Sequence, residues 1–146
     1  MKARIGKTVS EIVIGDEAYF AKTMTETDMM LFAGITGDLN QLPINGEFAR
    51  KTRYGQRVAH GMLTASFVTN ILGMKLPGFG TAMRSFKVRF TAPVFLNDTV
   101  EVGIRVTDTN AADNTATFET WAVNQRGETV MQGSCVVFPP RKIDED

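Results

Sequence analysis

Apolar and polar positions recur in two different periods along this chain, and the change of period divides it into a mainly helical first part and a stranded second part. Residues 17–24, EAYFAKTM, read as a short strand. Thr25-Glu26-Thr27-Asp28 then offers a capping-box-like start, with Thr25 as cap and Asp28 in the first turn. This predicts a helix over 26–35 with Met29, Met30, Phe32 and Ala33 on one apolar face, weakened toward its end by Gly34 and Gly37. A polar, turn-rich passage over 36–57 follows, with a short helix expected over GEFARKT. From His60 to Met74, HGMLTASFVTNILGM carries no charged residue, which predicts a helix buried nearly all round and stopped by LPGFG.

Beyond it the period falls to two. Phe86, Val88 and Phe90 alternate with Lys87 and Arg89; Val100, Val102, Ile104 and Val106 alternate with Glu101 and Arg105. Ala116, Phe118 and Thr120, then Met131, Gly133, Cys135 and Val137, continue the series, with NAADN and NQRGE as turn clusters at hairpin-like separations. A mostly antiparallel sheet with one polar face results. Its apolar face needs a cover and the apolar helix needs a wrapper, so the expected fold is α+β, a curved antiparallel sheet wrapped around the long buried helix at 60–74. Met62, Leu63, Phe67, Ile71 and Leu72 are expected to pack under that sheet.

Composition narrows the function classes. At 146 residues and 43% hydrophobic content, one domain spanning 1–146 is expected to bury its own core. Sixteen basic and sixteen acidic residues give zero formal net charge, so neither nucleic acid nor an anionic membrane surface is an expected partner. Cys135, the single cysteine, reads as a buried thiol, and with no signal-peptide run or membrane-length apolar segment the expected compartment is the cytoplasm. The Asn97-Asp98-Thr99 sequon carries no meaning there. One His and no paired cysteines leave no expected metal, and the lone GFG at 78–80 follows a helix rather than a strand, so no nucleotide cofactor is expected.

The chemistry that remains is Asp38, Asn40, His60 and the start of the apolar helix. Asp38 and Asn40 read alone as side-chain turn formers, and His60 as a capping or packing residue. The helix start is more suggestive, because the backbone N–H of Gly61 in a dry setting suits an oxyanion. Ser66 or Thr69 could face the same site, although hydroxyls in buried helices often bond back to their own helix. Arg84, Lys87 and Arg89 read as a solvated strand face.

The ordered segments FAGITGDLNQL, EFARKT, RVAHGMLTASF, LPGFGT and VRFTAPVFLNDTVEV resemble the MaoC-like dehydratases and (R)-specific enoyl-CoA hydratases of the hot-dog superfamily, over roughly residues 15–138. That family's motif is typically Gly-Asp-x-Asn-Pro-x-His; here Gly37-Asp38-Leu39-Asn40-Gln41-Leu42-Pro43 keeps the Asp and Asn, with Gln41 for the Pro and Pro43 in the His position. The resemblance implies a hot-dog fold and reversible hydration of 2-enoyl thioesters to (R)-3-hydroxyacyl thioesters on CoA or acyl carrier protein. It also implies Asp38 as base, Gly61 N–H as oxyanion donor, Asn40, His60 and Ser66 in support, and a homodimer or larger homo-oligomer. Two alternatives stay open. One is a non-catalytic acyl-CoA-binding or partner subunit lacking the His; the other is an acyl-CoA thioesterase.

Overall fold

The computed structural model describes residues 4–143. In chain order the elements are β1 (Glu17–Thr23), α1 (Glu26–Thr36), α2 (Gln41–Ile44), α3 (Gly46–Arg50), α4 (Gly61–Met74), β2 (Ala82–Phe90), β3 (Thr99–Asn110), β4 (Thr115–Asn124) and β5 (Thr129–Phe138). The five strands form one antiparallel sheet in the order β1-β3-β4-β5-β2. Register shifts at Met83/Ser85, Val106/Asp108 and Ala122/Val123 put extra residues into the ladder, the kind of irregularity that bends a strand. α4 lies against β1, β2 and β3, giving the hot-dog arrangement expected from the sequence.

The core follows from the two periods. Val100, Val102, Ile104 and Val106 of β3, with Phe118 and Ala122 of β4 and Met131, Cys135 and Val137 of β5, turn the same way and meet Leu63, Phe67, Val68, Ile71 and Leu72 of α4. The expected buried thiol of Cys135 is found there, and burial pushes it up to about 12. No helix among the described residues is long and apolar enough to cross a membrane.

Two expectations need correction. α4 is not buried nearly all round: Met62, Ser66, Thr69, Asn70 and Met74 form an exposed stripe at helical spacing, and Met62 is 54% exposed rather than under the sheet. Absence of charge misled here, because uncharged hydroxyls and an amide face water as well as charged groups do. The 36–57 passage holds two short helices rather than one: α3 falls within GEFARKT, but α2 precedes it, started by Asn40. The chain before α4 is pinned to the β2–β3 connection by an isolated Val58–Phe95 bridge and by Ala59 N–H donating to Val94 O at 2.8 Å. That anchor sets where α4 begins.

Candidate active site

The site starts at the end of α1. That helix opens on a complete capping box between Thr25 and Asp28 and closes on Gly37, whose φ of 75° lies in the left-handed region that glycine adopts without strain. The reversal delivers Asp38 into a tight polar turn. Asp38 N–H donates to Thr36 Oγ1 at 3.1 Å, Asn40 N–H donates to Asp38 Oδ1 at 3.0 Å, and Leu42 N–H donates to Asn40 Oδ1 at 3.0 Å. The side-chain turns read from the sequence are therefore present, and Asn40 also caps α2.

Pro43, in α2, is buried, and its carbonyl accepts from Arg57 Nε at 2.7 Å. The Arg57 guanidinium also pairs with Glu26 of α1, and that hydrogen bond holds the Glu26 carboxyl below its usual range. Arg57 thus ties α2 to the start of α1, on either side of the loop carrying Asp38. Sequence reasoning missed it, since nothing in the spacing connects residues 26, 43 and 57.

His60 stands at the N-cap of α4 but makes no side-chain capping bond. It is buried, its ring 5.0 Å from that of Phe32, with Nε2 3.4 Å from Asp38 O and 3.5 Å from Asp38 Oδ2. Gly61 follows as the first residue of α4, so its N–H is among those that helix geometry leaves without an intrahelical acceptor. A Cβ at Gly61 would lie 3.0 Å from two ring carbons of Phe90, so a larger residue there requires that ring or the helix start to give way. Ser66 donates its hydroxyl to Leu63 O at 2.6 Å and Thr69 to Ser66 O at 2.7 Å, so both bond back to their own helix and neither binds Asp38.

Asp38, Asn40, Pro43, His60, Gly61 and Ser66 nevertheless line one open cleft of about 650 Å³, walled otherwise by apolar side chains such as Phe32, Leu42, Val58 and Met62. A second hollow of about 370 Å³ shares Val58, Ala59 and Gly61 with it and runs along Phe90, Val94 and Val130. A carboxylate and an unpaired helix-start N–H therefore border a mostly apolar space, a setting suited to moving a proton beside a developing oxyanion.

A curated (R)-specific enoyl-CoA hydratase of Rhodospirillum rubrum is 36% identical over 132 residues, covering 90% of this chain and 91% of the relative. A 3-hydroxybutyryl-CoA dehydratase of Methylorubrum extorquens is 34% identical over 137 residues, covering 93% and 86%. Among solved structures, an (R)-hydratase from A. caviae involved in PHA biosynthesis superposes with a TM-score of 0.86 at 31% identity, over 88% of this chain and 98% of that one. The family described as MaoC like domain matches residues 10–126, and with these relatives it establishes that this chain belongs to the MaoC-like dehydratases of the hot-dog fold.

Proposed function

We propose that this chain is a hydro-lyase that reversibly adds water across the α,β double bond of 2-enoyl thioesters to give (R)-3-hydroxyacyl thioesters. The observation that carries the reading is the convergence of Asp38 and the start of α4 at Gly61 on one cleft. The names of the two curated relatives favour CoA as the carrier.

Asp38 acts as the base and then as the acid. As a bound water attacks Cβ, its O–H bond breaks toward the Asp38 carboxylate, the O–Cβ bond forms, and the π electrons move to the thioester oxygen. The Gly61 N–H, strengthened by the partial positive charge of the helix start, stabilises that enolate. The protonated Asp38 then returns its proton to Cα, the enolate collapses, and H and OH have been added to the same face with the carboxylate restored. The whole chain, 1–146, works as one hot-dog domain in the cytoplasm, a placement supported by its lone buried thiol. It does so as a homodimer, supported by the open edge strand β2, whose Met83 and Phe90 are left 39% and 44% exposed.

The test is purified protein with crotonyl-CoA, followed by loss of the conjugated thioester's absorbance and chiral analysis of the product. Asp38→Asn should lower kcat by about 10² to 10⁴. Because Pro43 occupies the family's His position, a second reading is a binding subunit. Intact CoA-ester binding without turnover at high enzyme concentration would select it, and release of free thiol would select a thioesterase.

A further inference from the structure

Of the side chains lining the cleft, only those of Asp38 and His60 carry an acid/base group. Asp38 is half exposed at its side chain, 51%, whereas that of His60 is 6% exposed. A half-exposed carboxylate on a loop rotates freely unless donors hold it, and proton transfer is sensitive to such misplacement.

Asn40 N–H holds Oδ1. On the other side, His60 Nε2 faces both Asp38 Oδ2 and Asp38 O. A carboxylate and a carbonyl oxygen are acceptors only, so the imidazole meets them productively only with its proton on Nε2. The opposite ring nitrogen points the same way: Nδ1 is buried with no hydrogen-bond partner. A proton there would be an orphaned buried donor, which folded proteins avoid more strictly than an unpaired acceptor.

We infer that His60 is a positioning residue for Asp38: a buried imidazole fixed in the Nε2–H tautomer, whose N–H is shared between Asp38 O, its hydrogen-bond partner, and Oδ2 3.5 Å away, while the Asn40 N–H holds Oδ1. Each oxygen keeps a second lone pair for the reacting water. His60 therefore acts through Asp38. Its location one residue before Gly61 couples the orientation of the base to the position of the oxyanion donor.

The kinetic arm of the test rests on the hydro-lyase reading; the spectroscopic arm does not. Since the chain has a single histidine, ¹⁵N-labelled protein gives one pair of ring nitrogens, and long-range ¹H–¹⁵N correlation assigns the tautomer without ambiguity. The expected result is a protonated Nε2 and a bare Nδ1, with the Nε2 resonance displaced in Asp38→Ala. A proton on Nδ1, or an Nε2 signal unmoved by Asp38→Ala, overturns the inference whether or not the protein turns over. In the kinetic arm, His60→Leu should lower kcat by roughly 10- to 100-fold while KM for crotonyl-CoA stays within about threefold. His60→Gln, which retains an N–H at similar reach, should recover most of that loss. Equal losses in both variants at matched thermal stability, or no loss in either, overturn the inference. Absence of turnover by the unaltered protein would instead sink the hydro-lyase reading and leave the tautomer measurement to decide the role of His60.

Discussion

Placing an imidazole at position 43 is the most revealing perturbation of this site. Pro43 is the third residue of α2 and lines the cleft together with Asp38. Replacing it by His adds a backbone N–H at a helix position where no intrahelical acceptor exists, but the neighbouring Asn40 Oδ1, which already accepts from Leu42 N–H, has a second lone pair to offer. The carbonyl that accepts from Arg57 is unchanged, so the anchor to α1 survives. Loss of proline rigidity costs about 0.4–1 kcal/mol. Imperfect pairing of a buried imidazole adds about 1–3 kcal/mol. At roughly 2–4 °C per kcal/mol for a chain of this length, the thermal midpoint should fall by about 3–16 °C. Against that, a second positioned acid/base group contributes about 10² to 10⁴ in rate. Pro43→His should therefore raise kcat for crotonyl-CoA hydration at least tenfold, measured at a temperature where circular dichroism shows both proteins folded. A folded variant whose kcat stays within about threefold of the parent would refute the reasoning that a side chain at residue 43 reaches the water Asp38 activates.

Other changes probe the surroundings. Gly61→Ala keeps the backbone N–H but sets a methyl about 3.0 Å from the half-exposed Phe90 ring, so if the helix start rather than the ring gives way, the displaced N–H should lower kcat by up to about 10²; an unaltered kcat would show that the ring yields and the N–H stays in place. Asp98 is buried, which raises its pKa, but hydrogen bonds from Gln125, the Phe95 N–H and Arg126 outweigh this and leave it lowered. Its stabilisation is therefore present above the unfolded carboxyl value of about 3.9 and lost as pH falls through the lower folded value. Asp98→Asn should cost about 1–3 kcal/mol at neutral pH in urea titrations, with the gap closing on acidification; a gap that widens in acid would contradict the assignment. Cys135, pushed up to about 12, should resist thiol reagents at pH 8 in the native protein and react once denaturant is added, whereas rapid native labelling would contradict its burial.

The legible part of the fold was its periodicity. Alternation at Val100, Val102, Ile104 and Val106 named the inward face of β3, and NAADN and NQRGE lie at the β3–β4 and β4–β5 turns. The exposed stripe on α4 was not legible, because hydropathy separates charged from uncharged residues and not wet from dry ones: Ser66, Thr69 and Asn70 satisfy either environment. α2 was equally hidden, since four residues are too few to show a period, and its only signal was Asn40, already read as a turn former.

The site was legible in its parts and not in its assembly. Asp38 and Asn40 are two residues apart, and short-range chemistry alone makes their turn. The approach of His60, 22 residues beyond Asp38, depends on two anchors that local pattern does not encode: Arg57 reaching back to Pro43 O and Glu26, and the Val58–Phe95 bridge that pins the chain leading into α4. Both anchors lie within three residues of His60, so the segment that begins the central helix is held from α1 on one side and from the β2–β3 connection on the other. The start of α4 cannot shift without disturbing one of them, and the unpaired N–H of Gly61 inherits that rigidity. Asp38, by contrast, sits on an exposed loop and is held only by local contacts: its own N–H on Thr36 Oγ1, the Asn40 N–H on Oδ1, and His60 Nε2 against its carbonyl oxygen. In the proposed mechanism the oxyanion donor is therefore the fixed half of this site and the base its adjustable half. Substitutions around Asp38 should accordingly change kcat over a wider range than substitutions at Val58 or Arg57, which should register first as lost stability.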